Sequence, residues 1–396
     1  ITYSVRILII KSNYKGSEVY SATWPKANLS AEYVLARGLL VSFANRFRFF
    51  VRKMPTLCYP DKNLPLPAPI PYLGQFNFHT VVENKRSELL QYFHSSWEFN
   101  ESLFECLVDD ENSAWYIPPI PQRHALIFYY GHNAAFYVNK FFAAGLISAD
   151  ERIDEKLEAQ LAAGIDEMSS DAKPEEQIYP SVARVREFRG LVKQLVIDVI
   201  NRATIQLPIR QQDSAWAIVM GMEHERIHVE TTSVLIRQLP LRCVRSRPQW
   251  PICPLALEDR ASVPENRLVP VSGKLIYLGK TDDTFGWDNE YGLDKCPVFS
   301  FEVSRFLVSN AEYLEFVLDD GYLNKQWWDE EGWRWRESTG AAQPTFWVGQ
   351  ATYPDKLKLR VLTKEIPMPW DWPVEVNQLE ATAFCDWKSR KIGRRV

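Results

Sequence analysis

Apolar residues recur at helical spacing in four stretches upstream of residue 240. The spacing predicts helices over the ranges 83–108, 124–147, 181–203 and 213–238. In the last of these, Asp213 is a candidate N-cap and Pro240 lies just past the end, so we expect one long helix. The connection between the second and third helices is the longest. Four amphipathic helices with one long crossover predict a four-helix bundle.

The pattern changes after Pro240. Residues 241–266 carry prolines and arginines and are predicted to be a linker. From Arg267 onward, two β-like runs, LVPVSGKLIYLG and PVFSFEVSRFLVS, are followed by two short helical segments, NAEYLEFVLDDG and EATAFCDWKSRK. Tryptophans crowd this part of the chain, at positions 327, 328, 333, 335, 347, 370, 372 and 387. We expect a second, irregular domain of α+β type here.

The chain upstream of the first helix has a weaker pattern. Residues 31–54 are basic and amphipathic, which is typical of a targeting or surface helix but also of an extension in front of the first domain. Residues 55–75 are rich in proline and form a linker. The predicted organisation is therefore an extension with its linker, a helical domain, a second linker and an α+β domain, over residues 1–79, 80–240, 241–266 and 267–396.

Composition excludes several classes of protein. The 396 residues are 46% hydrophobic and 24% charged, with a net charge of −4, as in ordinary globular proteins. There is no basic excess to indicate a nucleic-acid partner. No stretch has the roughly 18 apolar residues of a membrane span. The six cysteines form no C-x-x-C pair, which favours a reducing, cytoplasmic compartment.

The candidate chemistry begins with His224 and His228 in the fourth predicted helix. Residues four apart lie about 40° apart around a helix, so both imidazoles can reach one point. Neutral imidazole is a strong ligand for iron, zinc and copper. Such a pair also arises by chance in helices without a metal. The same segment matches H-E-x-x-H, the zinc-protease pattern, in which Glu225 would be the general base.

The third ligand decides the chemistry of such a site. Glu230 would complete a site of two histidines and one carboxylate, but it lies about 200° around the helix from His228. No histidine follows His228, which excludes the extended metzincin pattern, and Glu258 remains an alternative downstream ligand for a zinc hydrolase.

His132 is the preferred third ligand. It lies in the middle of the second predicted helix, beside Gly131, Ala134 and Ala135. Small neighbours let another helix approach closely and leave room for a ligand at the bundle centre. The alternative is a histidine that is hydrogen-bonded in the core.

Several segments resemble a known family. FYYGHNAAFYVNK, GIDEMSSD and WAIVMGMEHERIHVETTSVLIRQLP resemble the DinB-like helical domain of ovothiol-type sulfoxide synthases, the 5-histidylcysteine sulfoxide synthases. VPVSGKLIYLG, FGWDNE, VSNAEYLEFVLDDGY, EEGWRW and PVEVNQLEATAFCDWKSR resemble the formylglycine-generating-enzyme-like domain, a C-type-lectin-like α+β fold, that such synthases carry. The resemblance covers roughly residues 80–396, in the order of the family.

The resemblance implies an iron(II)- and O2-dependent enzyme of ovothiol biosynthesis. It would join the sulfur of L-cysteine to C5 of the imidazole of L-histidine and oxidise that sulfur to a sulfoxide. The iron-binding histidines of the family fall on His132, His224 and His228. S-adenosylmethionine would serve only a further C-terminal domain that is absent here. The catalytic tyrosine of the family is expected beyond Val396, because the second domain resembles an incomplete one.

Three alternatives stay open. The sister branch of the family makes ergothioneine from trimethylhistidine; there a Gln often precedes the second histidine of the pair, and here that residue is Ile227. The residues of these motifs therefore favour the ovothiol branch. A zinc hydrolase and a metal-binding fragment without activity are the other two.

The metal hypothesis makes geometric predictions. Nitrogens bound to one ion should lie within about 3 to 4 Å of one another. Glu225 and Glu230 should point away from the centre, while Glu223 or Asp166 could accept a hydrogen bond from a ligand imidazole. We also expect a cleft between residues 80–240 and 267–396, with the histidines on one side and tryptophan-rich loops on the other.

Overall fold

The structure is a computed structural model that describes residues 10–12, 85–108, 114–120, 123–162, 179–253 and 256–396. Strand β1 is Ile10–Ser12, and the helices of the first part are α1, Lys85–Phe104; α2, Leu126–Ala143; α3, Glu155–Gln160; α4, Val182–Arg202; and α5, Ala215–Gln238. The rest of the predicted extension and first linker lies outside the described residues.

The four long helices form the predicted bundle. Helices α1 and α2 each pack against both α4 and α5. Large apolar side chains fill the space between them, among them Phe93, Phe128, Tyr137 and Phe188, all of which are buried. Each long helix lies within its predicted range and is shorter by one to four residues at each end, except that α5 ends at Gln238 as predicted. The short helix α3, in the long crossover, was not predicted.

The start of α5 differs from its prediction. Ser214 occupies the N-cap position, and its side chain makes no capping hydrogen bond. Asp213 accepts a hydrogen bond from the backbone N–H of Arg210 at 2.7 Å instead, so it closes the preceding turn. Predicting Asp213 as the N-cap was therefore wrong by one residue, because the turn competes for the carboxylate.

The second part combines small antiparallel sheets with helices. The strands are β2, Leu268–Val271; β3, Lys274–Leu278; β4, Asp294–Val298; β5, Phe301–Ser304; β6, Trp347–Val348; β7, Lys358–Arg360; and β8, Glu365–Pro367. They pair in the orders β1-β5-β2, β3-β4 and β6-β7-β8. Helices α6, Asn310–Leu318; α7, Glu330–Thr339; and α8, Gln378–Ile392 complete it. The mixture of helix and small sheets agrees with the α+β prediction.

The second part has its own hydrophobic core, and it touches both ends of α5. Phe285 is buried in the bundle core, where its ring lies 4.8 Å from that of Trp216 near the start of α5. At the other end, Arg360 donates hydrogen bonds to the carbonyl oxygens of Arg237 and Leu239, at 3.2 and 3.1 Å. Helix α5 is thus bracketed by the second part of the chain.

No helix among the described residues is long and apolar enough to cross a lipid bilayer.

Candidate metal centre

Three histidines meet between α2 and α5. His132, in the middle of α2, and His224 and His228, one turn apart on α5, each offer a ring nitrogen, and the three atoms lie within 4.8 Å of one another. The centroids of their rings are 4.4 to 5.1 Å apart. The 4.8 Å limit on the separation of the ring nitrogens is wider than the 3 to 4 Å predicted for nitrogens bound to one ion. In the part of the chain that the structure describes, no other group of histidine, cysteine and carboxylate side chains converges in this way.

The backbone fixes the proton of His132. Its Nδ1–H donates to the carbonyl oxygen of Leu161 at 2.7 Å, so the lone pair of Nε2 is left for a ligand. Leu161 follows α3 and packs directly against α2. A Cβ at Gly131 would lie 2.6 Å from Leu161 Cδ1, so the glycine beside His132 permits this close approach.

Two phenylalanines on α2, each one turn from His132, hold imidazole rings by stacking. Phe136 lies parallel to His224, with ring centroids 3.6 Å apart and an angle of 4° between the planes. Phe128 stacks on His132 at 5.2 Å. The ammonium group of Lys140 lies 5.2 Å from the centre of the Phe136 ring. The ring directions at the site are thus set by side chains of α2 as well as by α5.

The environment keeps all three imidazoles neutral. Burial lowers the pKa of His228 to about 3, with further lowering from His132 and the cation of Arg123. Burial lowers the pKa of His224 still further, helped by the other two histidines and by Lys140. The pKa of His132 is lowered by burial as well. A neutral imidazole is the form that binds a metal ion, so this donor set is ready for one at pH 7.

The carboxylates of α5 point away from the centre. Glu225 is buried on another side of the helix, where it accepts a hydrogen bond from the hydroxyl of Tyr137 at 3.2 Å and faces Arg189 at 3.5 Å. Burial raises the pKa of Glu225 to about 7, against the opposing effect of Arg189. Glu230 and Glu258 are both exposed. None of the three belongs to the converging group.

The predicted carboxylate partners of the ligand histidines are not found. Glu223 accepts a hydrogen bond from the hydroxyl of Tyr92 and lies 3.9 Å from Arg226, so its carboxylate is engaged elsewhere. Asp166 lies outside the described residues. The Nδ1 atoms of His224 and His228 are buried and find no hydrogen-bond partner within the described ranges. Buried imidazole nitrogens of this kind fit an ion at the centre, because an unsatisfied polar atom is costly.

The tryptophans of the second part contribute to its core, and the cleft between the two parts stays a prediction. All eight pack in or against the second core, and Trp328, Trp347, Trp370 and Trp387 are buried there. Among the described residues, no ring contact joins any of them to the three histidines. Their large apolar surface thus contributes to a core.

The sequence pattern did not indicate several residues that lie around the three histidines. Leu161 acts through its backbone, which no side-chain pattern reveals, and Arg189 reads as an ordinary charged residue of an amphipathic helix. Two glycines in the helices were the sequence features that could have indicated these close contacts. Gly131 was predicted to allow a close approach beside His132. Gly221 was not singled out, although a Cβ there would lie 2.3 Å from the ring of Tyr137.

Comparison with known proteins identifies relatives of one kind. The chain is 29% identical over 221 residues to the hercynine oxygenase of Mycolicibacterium thermoresistibile, covering 54% of this chain and 44% of that protein. It is 28% identical to the hercynine oxygenase of Mycobacterium tuberculosis, over 54% of this chain and 48% of that protein. Ergothioneine biosynthesis protein 1 of Schizosaccharomyces pombe is 24% identical, over 57% of this chain and 32% of that protein.

These similarities cover only part of each relative. The chain spans less than half the length of these curated relatives. It matches no model of a known protein family. By their names, these relatives are two oxygenases of hercynine and one protein of ergothioneine biosynthesis.

Proposed function

We propose that this protein is a non-haem iron(II) oxygenase that makes a sulfoxide from a thiol and a histidine derivative. The convergence of three neutral histidines, two buried and one half-buried, from two helices and from positions 92 residues apart (224 minus 132), carries the proposal. The similarity to hercynine oxygenases supports it independently of the geometry.

His132, His224 and His228 would hold the iron. Three neutral ligands leave an ion its full positive charge and open positions, which suits a thiolate and an imidazole. Bound iron(II) would supply the activation of O2 and the deprotonation of the thiol. The protein contributes a buried centre and fixed imidazole directions. Phe136 and the carbonyl oxygen of Leu161 provide the latter.

The overall reaction balances with O2 as the only oxidant. A thiol S–H bond and the imidazole C–H bond are lost, one C–S bond forms, and the sulfur gains one oxygen atom. The second oxygen atom leaves as water with the two hydrogens. No external reductant is needed, so the substrates are two small molecules and O2.

We propose hercynine, the trimethylated histidine, as the histidine derivative. The relatives reported above carry hercynine or ergothioneine in their names. This favours the ergothioneine branch over the ovothiol branch that the motifs alone indicated, and over free L-histidine. The thiol is cysteine or a cysteine-containing peptide.

The zinc-hydrolase alternative has less support. That chemistry needs the glutamate of H-E-x-x-H beside the water on the metal. Here Glu225 faces Tyr137 and Arg189 inside the bundle. A hydrolase would also need a third ligand downstream, and the exposed Glu258 does not approach the histidines.

The product of the loaded protein tests this proposal. The protein is loaded with iron(II) under anaerobic conditions, and then receives hercynine or histidine, cysteine or γ-glutamylcysteine, and air. We expect O2 uptake and a sulfoxide adduct of hercynine by mass spectrometry. The His132→Ala variant should form none, whereas the control His94→Ala should behave like the wild type. A histidine adduct alone would restore the ovothiol branch, and peptidase activity with zinc would contradict the proposal.

A further inference from the structure

Arg189, on α4, lies at the centre of the bundle between two carboxylates. Its Nε donates to Glu101 Oε1 and its Nη1 donates to the carbonyl oxygen of Tyr130, both at 2.7 Å, and its Nη2 lies 3.5 Å from Glu225 Oε1. The guanidinium also faces the rings of Trp97 and Tyr130, 4.2 and 4.5 Å from their centroids. One fully buried side chain thus connects α4 with each of the other three long helices.

The same cluster holds Glu225 from a second side. The hydroxyl of Tyr137, on α2, donates to Glu225 Oε2 at 3.2 Å. Gly221 lies one turn before Glu225, and a Cβ at that position would overlap the Tyr137 ring at 2.3 Å. The absent side chain at 221 therefore lets Tyr137 lie against α5 and reach the carboxylate. Glu225 is fixed by α2 and α4 together.

Because Glu225 lies on the same helix as His224 and His228, contacts that fix Glu225 also restrict the rotation of the two histidines about the helix axis. Glu225 directly follows His224 and lies about 100° from it around the helix axis, so a rotation of α5 moves both side chains together. A rotation of about 20° would displace an imidazole, about 6 Å from the axis, by about 2 Å. Such a displacement is comparable to a metal–nitrogen bond length, so the helix must be held against rotation.

We propose that Arg189 and Glu225 are positioning residues for the metal centre: together with Tyr137 they set the rotation of α5 at which His224 and His228 face His132. The inference rests on the proposed metal site. Neither residue belongs to the converging group of histidines. The glutamate of the H-E-x-x-H sequence is an anchor of the helix in this protein, not a general base.

The competing explanation is a buried ion pair that serves folding alone. Two apolar residues of similar size often replace such a pair without loss of stability. The double variant Arg189→Met/Glu225→Met therefore separates the two roles. If the pair serves folding alone, this variant recovers both the stability and the metal affinity of the wild type. If the pair positions α5, stability recovers and metal affinity does not.

Cobalt(II) binding to the full chain is the measurement, because the visible spectrum of cobalt(II) reports its coordination geometry. Glu225→Gln keeps the shape and can still accept from Tyr137, but it places an amide NH2 group, which cannot accept, opposite the guanidinium of Arg189. We expect its dissociation constant for cobalt(II) to rise by about 10- to 100-fold, as for outer partners of ligand histidines, with an altered spectrum. Glu230→Gln, an exposed change of the same kind on the same helix, should leave both unchanged.

The double variant should denature in urea at or above the wild-type midpoint and still bind cobalt(II) about 10- to 100-fold more weakly. Arg184→Met, an exposed change on the same helix as Arg189, is its control and should match the wild type in both measurements. If the double variant does not fold, the comparison of Glu225→Gln with Glu230→Gln decides.

Two results would overturn the positioning role while leaving the metal site intact: a wild-type affinity and spectrum in Glu225→Gln, or the recovery of both in a folded double variant. If the wild type binds no cobalt(II), or if His132→Ala binds it equally well, the proposed metal site itself fails and this inference fails with it.

Discussion

At the candidate metal centre, the parallel stack of Phe136 on His224 restrains an imidazole that lacks a hydrogen-bond partner at Nδ1 among the described residues. His132 has a carbonyl acceptor to fix its ring, whereas His224 depends on this stack and on its rotamer. The two histidines therefore reach the same centre by different means. The difference predicts that His224 is the more sensitive to the packing around it.

Phe136→Leu should weaken metal binding. Aromatic pairs contribute about 0.5–1.5 kcal/mol beyond buried area, so we expect the dissociation constant to rise by about 2- to 10-fold. Phe142→Leu, an exposed position on the same helix, is the matched control and should not change it. Equal affinities for the two variants, measured by metal titration, would show that the stack does not position His224.

Gly221→Ala and Gly190→Ala should shift stability in opposite directions. A methyl group at 221 would overlap the rigid ring of Tyr137, whereas nothing lies within 4 Å of a Cβ at 190. We expect Gly221→Ala to lower the free energy of unfolding by about 1–3 kcal/mol. Gly190→Ala should raise it by about 0.5–1 kcal/mol, because alanine is the better helix former. Urea denaturation measures both, and stabilisation by both would mean that Tyr137 moves freely.

The sequence predicted the long helices well because their apolar periodicity is strong. It could not predict α3, since a helix of six residues owes its formation to packing rather than to propensity. It predicted that Glu225 points away from the histidines, but it could not predict which side chains Glu225 meets there. Its partners come from other helices, Tyr137 from α2 and Arg189 from α4. Only the packing of these helices against α5 brings both side chains to the Glu225 carboxylate. The convergence of His132 with the α5 pair was predicted from spacing and small neighbours.

Helix α8 should make the second part of the chain sensitive to pH. Glu380, in its first turn, accepts hydrogen bonds from the backbone N–H of Asn377 and the hydroxyl of Tyr322, and burial raises its pKa from 4.5 to about 7. Between these two values the folded state holds the proton more tightly than the unfolded state does. The stability that Glu380 contributes is therefore present near pH 4.5 and is lost as the pH rises to 7.

The Glu380→Gln variant isolates this effect, since its amide can accept the same bonds and does not titrate. The free energy of unfolding of the wild type, minus that of the variant, should fall by about 1–3 kcal/mol from pH 4.5 to 7. Parallel pH profiles would contradict the assignment of the shift to Glu380.

Across the whole molecule, helix α5 links the two parts of the chain. Arg237 and Arg360 donate to each other's backbone carbonyl oxygens, Arg237 also pairs with Glu375, and Arg360 satisfies the carbonyl oxygen of Leu239 past the helix end. Phe285 holds the other end. The sequence predicted two domains but not this bracket, because arginines near a helix end look like ordinary surface residues. Likewise, the sequence did not predict that the tryptophans pack in a separate hydrophobic core of the second part.

Arg360→Met should weaken this bracket. It leaves the carbonyl oxygens of Arg237 and Leu239 without their donor in a largely buried place, so we expect a loss of about 1–3 kcal/mol in the free energy of unfolding. Arg305→Met, an exposed change in the same part of the chain, should stay within about 0.5 kcal/mol of the wild type. Hydrogen exchange should show faster opening of the last turns of α5 in Arg360→Met alone. Unchanged exchange there would mean that the contact is incidental.

The most direct test of the account is an anaerobic iron(II) titration of the wild type and of His132→Ala, because His132 is the proposed ligand that only the fold brings to the pair on α5. We expect one ion per chain in the wild type. Affinity should fall by at least about 100-fold in the variant, more than the loss of an outer partner costs. Equal binding by the two proteins would contradict a centre built from His132, His224 and His228.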